Sequence, residues 1–206
     1  MNGSRAKKLL ARTEVLQGAP NRLRRHLLVA AALREVLAGP IIVGGTAEEY
    51  WTPDEYGETD LDLCVSLHRE DVRTLTDLGF ELERGRRHWY HAATRVAVEF
   101  PDSRIEGDED RTVLEDVGDG GKAEVIGLDD LYLDRVRQAT INDATEGREF
   151  KSALAVASAN FDRIDWDYIR RVMRETDLRL GDAMKRVNSR IGRRIRRLLS
   201  DPGPRA

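Results

Sequence analysis

Residues Ile41 to Val65 read IIVGGTAEEYWTPDEYGETDLDLCV, and the order of residue types in this stretch decides the fold class. Ile41-Ile42-Val43 is a short β-branched run suited to a buried strand. Gly44-Gly45-Thr46-Ala47 then forms a turn that opens a helix, and beyond a spacer Leu61 and Leu63 alternate with Asp60, Asp62 and Cys64. Side chains two apart on a strand share a face, so the leucines enter the core while both aspartates point the other way. The pattern of strand, turn and helix, loop, and strand predicts an α/β core.

Two features of the stretch carry chemistry. A glycine turn between a strand and a helix lets backbone amides and the positive helix end face an anion, and phosphate is the natural candidate. Neither GxxxxGK[ST] nor GxGxxG is present, and a Gly-Gly turn alone also reads as a tight strand-to-helix connection. Asp60 and Asp62 repel one another unless water, a base or a cation intervenes. A hard divalent ion is bound by carboxylate oxygens together with substrate phosphates, so the turn and the acid pair need each other. A solvated edge strand is the alternative for the pair alone. Glu99, in phase against Val96, Val98 and Phe100, is the candidate third acid; Asp102, after Pro101, is its fallback.

Upstream, Asn21 caps a predicted helix carrying Leu23, Leu27, Leu28, Ala31, Leu33 and Leu37, stopped by Gly39-Pro40. Downstream, Asp71 to Leu78 reads as a helix, and Phe80 to Leu82, His88 to His91 and Thr94 to Phe100 read as strands of a mixed sheet. The acidic, glycine-rich segment from Gly107 to Gly121 suits a surface loop, with Thr112 to Leu114 able to lie against the sheet. After Gly127 every segment reads as helix: Leu128 to Val136, Phe150 to Ala159, a third capped by Asp165, and a last one striped by Leu180, Met184, Val187, Ile191, Ile195 and Leu198. The expected architecture is α/β (α+β): a small mixed β-sheet core flanked by helices in residues 1–126, with a helical extension in 127–206.

Over 206 residues, with 40% hydrophobic and 34% charged, the composition is that of a folded globular chain and excludes wholesale disorder. The net charge of −3 hides a sorting of signs: Ala47 to Asp130 holds 24 acidic and 9 basic residues, while Lys185 to Arg205 holds 8 basic residues and one acid, Asp201. The basic face of the last helix suits an RNA backbone, a solvated surface, or the acidic middle of a second subunit. One cysteine, Cys64, excludes an intramolecular disulfide and any all-cysteine metal cluster, and it reads as a small strand residue. No run approaches the roughly 18 apolar residues of a membrane span, and the first residues lack a signal-peptide core, so a cytoplasmic chain without a membrane partner is expected.

Other residues have plainer readings. Trp51 and Tyr56 in the spacer can stack on a base or pack the loop. His88 and His91, three apart on a strand, point to opposite faces and are expected at the surface. Asp129 and Asp130 suit a helix first turn, and Arg135 and Lys151 read as surface charge able to border a cleft.

The stretch from Ile41 to Val65 resembles the nucleotidyltransferase superfamily typified by DNA polymerase beta. More narrowly, GGTA, a Tyr- and Thr-containing loop, T-D-L-D-L and the later IGLDDLYLDRV resemble the DUF6036 group, relatives of the AbiEii toxins, over roughly residues 41–169. The resemblance implies that Gly44 and Gly45 form a phosphate-binding turn, with Thr46 adding a hydroxyl donor. It also implies that Asp60 and Asp62 are the metal pair and that Glu99 is the third carboxylate, in place of a more usual Asp. The implied cofactor is Mg2+ or Mn2+ and the implied substrate a nucleoside triphosphate such as ATP. An acceptor hydroxyl on RNA (tRNA included), protein or a small molecule would attack the α-phosphorus and release pyrophosphate. A cognate toxin or antitoxin is an implied partner, and a non-catalytic antitoxin or regulator on the same fold is the alternative.

Overall fold

The computed structural model describes residues 2–16, 21–52, 60–83, 87–142 and 146–200, and the chain forms two compact units, Met1–Gly127 and Leu128–Ala206. In the first, α1 (Gly3–Glu14) and α2 (Arg22–Arg34) precede β1 (Ile41–Ile42), α3 (Gly44–Trp51), β2 (Asp60–Cys64) and α4 (Arg69–Asp77). There follow β3 (Phe80–Leu82), β4 (His88–His91), β5 (Val96–Glu99), β6 (Val113–Gly118) and β7 (Gly121–Val125). Among the described residues these strands make one sheet of seven in the order β3-β4-β5-β2-β1-β7-β6. It is mixed, as the alternation predicts: β1 runs parallel to β7 and β2 parallel to β5, and the other neighbours are antiparallel.

Helix α2 is buried along its whole length from Leu27 to Leu33, because it is covered from more than one side, by α1 and by β7. Helix α1 is not among the expected elements, although Ala6, Leu9, Leu10 and Thr13 recur at helical spacing and are buried. Its first turn is capped by Asn2, whose side chain accepts from the Arg5 amide at 3.1 Å.

Two expectations need correction. The segment expected as a surface loop contains a 3-10 turn (Glu109–Arg111), the strand β6 and a tight hairpin into β7. Asp119 and Gly120 have φ of 55° and 73°, and Gly118 faces Gly121 across the turn. Two consecutive residues in the left-handed region are what a two-residue type I′ hairpin requires, and Asp-Gly supplies them. Strand β6 is an edge on which only Val117 is buried, so its acidic composition resembles that of a loop. His91 is the second correction: it is 6% exposed, its ring 4.8 Å from Phe80 and its nitrogens on Thr94 Oγ1 at 3.0 Å and the Leu78 carbonyl at 3.2 Å. Burial holds its pKa below the ordinary histidine value.

The second unit consists of α5 (Leu128–Ile141), α6 (Arg148–Ala159), α7 (Trp166–Glu175) and α8 (Leu178–Ser200). Asp129 and Asp130 lie in the first turn of α5 and also fasten α7 to it: Asp129 Oδ1 accepts from the Asp165 amide at 2.9 Å and Asp130 Oδ1 from the Tyr168 hydroxyl at 2.6 Å. Tyr132, fully buried, donates its hydroxyl to Asn188 Oδ1 at 2.6 Å and so holds α8 to α5. The apolar stripe of α8 faces this core through Met184, Ile191 and Ile195, whereas Leu198 is 55% exposed. At Gly181 a Cβ would come within 2.4 Å of the Met173 carbonyl, so only glycine permits this approach of α8 to α7. No helix among the described residues is long and apolar enough to cross a membrane.

Candidate functional site

Strand β2 places Leu61 and Leu63 in the core, both fully buried, and leaves Asp60 and Asp62 half-buried on the opposite face. Its neighbour β5 runs parallel in a register that sets Asp60 beside Ala97 and Asp62 beside Glu99. Partners in register point to one face, so the three carboxylates share a single surface of the sheet. On the far side of β5, strand β4 sets His88 opposite Glu99, which adds an imidazole to that surface.

Gly44 closes one side of this surface. Its φ is +62°, a conformation costly for a residue with a side chain. A Cβ there would lie 2.1 Å from Asp62 Oδ2. The turn backbone therefore runs directly against the Asp62 carboxylate, and the Val43 amide donates to the Asp62 carbonyl at 3.0 Å. Gly45 is buried in the first turn of α3.

Thr46 occupies a different environment. It is 1% exposed, and its hydroxyl lies 2.8 Å from His26 Nδ1 and donates to the Asp60 carbonyl at 3.3 Å. With that hydrogen committed to Asp60, the hydroxyl oxygen accepts from a protonated Nδ1 of His26. Burial, and secondarily the charges of Arg25 and Arg22, lower the His26 pKa to about 4, so its ring is neutral near pH 7. Thr46, expected as a hydroxyl donor beside the glycine turn, thus has its hydroxyl between His26 and the start of β2 within the core. His26 is a site-supporting residue that sequence reasoning missed; a lone imidazole within the apolar run His26 to Leu33 was the available signal.

The acids are partly compensated. His88 Nε2 lies 3.2 Å from Glu99 Oε2 and 3.6 Å from Asp60 Oδ2, and Arg87 Nε lies 3.1 Å from Glu99 Oε1. Arg87 is itself 83% exposed, so solvent screens that pair and it adds little to stability. His88 was also missed as a member of this surface, although its alternation with Trp89 was visible; which carboxylates it faces depends on register.

Three carboxylates and one imidazole have the oxygen-rich chemistry that a hard divalent cation takes. Among the described residues, however, no three His, Cys, Asp or Glu side chains are grouped so as to hold a metal ion. The fit to Mg2+ or Mn2+ is one of donor type and common face, without a preassembled cage.

The remaining candidates fall elsewhere. Asp102 is exposed beyond β5, where its side chain accepts from the Ser103 amide at 2.7 Å. Trp51 donates Nε1–H to the Ile126 carbonyl at 3.0 Å and packs edge-on to Tyr50, so it serves packing; Tyr56 lies outside the described residues. Cys64 is buried. Arg135 is engaged by Asp134 and Gln138, and Lys151 is exposed on α6.

No family model matches this chain, and no curated protein matches it. Among solved structures, the crystal structure of an antigenic nucleotidyltransferase-like protein from Paracoccidioides brasiliensis is similar, with a TM-score of 0.52 and 14% identity over 80% of this chain and 93% of that one. At that identity the likeness concerns the fold alone.

Proposed function

We propose that this chain is a metal-dependent nucleotidyltransferase, moving a nucleoside monophosphate from a triphosphate to an acceptor hydroxyl on RNA, protein or a small molecule. The observation that carries the reading is the left-handed Gly44 set against Asp62 on the face that also holds Asp60 and Glu99. In this reading the amides of Gly44 and Gly45, at the positive end of α3, face the triphosphate. Asp60, Asp62 and Glu99 are the residues that would hold Mg2+ or Mn2+. When bound, the cation neutralises the triphosphate and makes an acceptor hydroxyl more acidic. Glu99 stands beside Asp62 to take the hydroxyl proton at a carboxylate oxygen, and His26 with Thr46 keeps β2 in place. The finer resemblance to the DUF6036 and AbiEii relatives, with a role in a toxin–antitoxin or defence system, belongs to the same proposal and rests on the residues from Ile41 to Val65 together with the later IGLDDLYLDRV.

A second reading, a non-catalytic nucleotide- or partner-binding regulator on this fold, is favoured by the lack of a three-donor metal group among the described residues. Incubation of the purified protein with each labelled triphosphate, Mg2+ or Mn2+ and a cell extract separates the two. The transferase reading expects label on an acceptor and its loss in Asp60→Ala and Asp62→Ala; equal labelling by wild type and variants overturns it.

A further inference from the structure

We propose that the groove between α6 and α8 binds the phosphodiester backbone of a nucleic acid without reading its bases. The groove has a volume of about 300 Å3. Its cations are Lys151 from α6 and Arg190, Arg193, Arg194 and Arg197 from α8, against one carboxylate, Glu146. All five cationic side chains are exposed, and none forms an ion pair or side-chain hydrogen bond with another described residue. Of the other surface cations of this unit, Lys185 pairs with Asp182 at 2.8 Å and Arg170 with Asp167 at 2.6 Å, whereas Arg174, Arg179 and Arg196 are likewise without an ion pair among the described residues but lie outside the groove lining. The groove therefore gathers five unpaired cations on one surface, against the single carboxylate of Glu146.

The shape of the charge selects the ligand. Arg190, Arg193 with Arg194, and Arg197 stand on successive turns of one helix, a span of about 10 Å at 1.5 Å per residue, longer than one phosphate and suited to a run of them. Guanidinium forks recognise phosphate oxygens in pairs. A lipid surface is disfavoured because the apolar stripe of α8 that would have to enter it is already buried through Met184, Ile191 and Ile195. Base reading is disfavoured as well: Phe150, the aromatic residue of the groove, is 9% exposed and offers no free ring for stacking. What is left is backbone recognition, dominated by counterion release and therefore strongly salt-dependent. The inference stands on the second unit alone and does not depend on the transferase reading.

The test is the fluorescence anisotropy of labelled single-stranded RNAs of two unrelated sequences with the full chain over a salt series. Expected is binding of both RNAs with similar affinity and a steep loss with salt. Arg193→Glu with Arg194→Glu lowers the affinity at least about tenfold and reduces the salt slope by about 1.4, at roughly 0.7 per phosphate contact on a single strand. The same charge change at Arg186 and Arg196, on α8 but outside the groove lining, shifts affinity less than about threefold. Absence of binding at low salt, affinity that follows base sequence, or equal loss in the two double variants overturns the proposal. So does a wild-type dimer that the groove variant abolishes while RNA binding is unchanged, since the acidic residues of a second copy would then be the occupant. Should the groove variant fail to fold, phenylglyoxal modification of the wild-type chain decides: RNA protects Arg193 and Arg194 but not Arg186, and no protection refutes the inference.

Discussion

Gly39 and Gly44 have the same left-handed backbone, with φ of +66° and +62°, but differ in what a side chain would meet: nothing within 4 Å at Gly39, and Asp62 Oδ2 at 2.1 Å at Gly44. Gly39→Ala is expected to cost only the conformational term, about 1–2 kcal/mol. Gly44→Ala is expected to cost more, because the Asp62 carboxylate must also move. Urea unfolding of both variants checks this, and equal losses would show that the turn does not press on Asp62. His26 makes the second residue-scale prediction. Its folded pKa, about 4, lies below the unfolded 6.5, so the unfolded chain takes up a proton first as the pH falls. The wild type is thereby destabilised between pH 6.5 and 4, and the stability gap to His26→Gln is expected to narrow by about 2 kcal/mol between pH 7 and pH 5. A gap that does not change with pH would mean that the imidazole is solvated.

At the scale of elements, the segments with a strong local period were legible. β1, α3 and β2 follow from an apolar run, a glycine turn and an alternating strand, and α5 to α8 follow from their stripes and stops. The cap at Asp165 was legible too: its Oδ1 accepts from the amides of Asp167 and Tyr168 at 3.1 and 3.0 Å. Asp165→Ala is expected to lower stability by about 1 kcal/mol, read as a lower thermal midpoint with the far-UV spectrum unchanged. The β6–β7 hairpin was not recognised, because an edge strand with one buried residue shows almost no alternation. Its Asp119-Gly120 turn was the usable signal. The acid face was legible only in part: alternation identified which side chains leave the core on β2 and β5, but the pairing of Asp62 with Glu99 depends on the register between two strands far apart in the chain.

For the whole molecule, the sheet with its covering helices lies within Met1–Gly127 and the four-helix unit within Leu128–Ala206. We propose that these are separate folding domains. Each owns a buried core, Leu28, Leu33, Ile42, Leu61 and Val98 in the first and Leu131, Tyr132, Val156 and Ile169 in the second. A fragment of residues 1–127 is expected to unfold cooperatively on its own with a sheet-containing circular dichroism spectrum, and a fragment without a thermal transition would place the boundary elsewhere. The charge sorting follows the same division, with the acidic stretch almost wholly in the first unit and the arginine-rich helix in the second.

The sequence by itself determined the mixed α/β core, the helical extension, the glycine turn and the facing of Asp60 and Asp62, because these depend on residues a few positions apart and on the periods of 2 and 3.6. Only the tertiary structure decided that Glu99 and His88 join the aspartates, that Thr46 turns inward to His26, and that four particular arginines of α8 line a groove while Arg196 does not. Those outcomes depend on which elements become neighbours and in what register. A periodic pattern states which face a residue takes, and packing alone supplies what stands opposite.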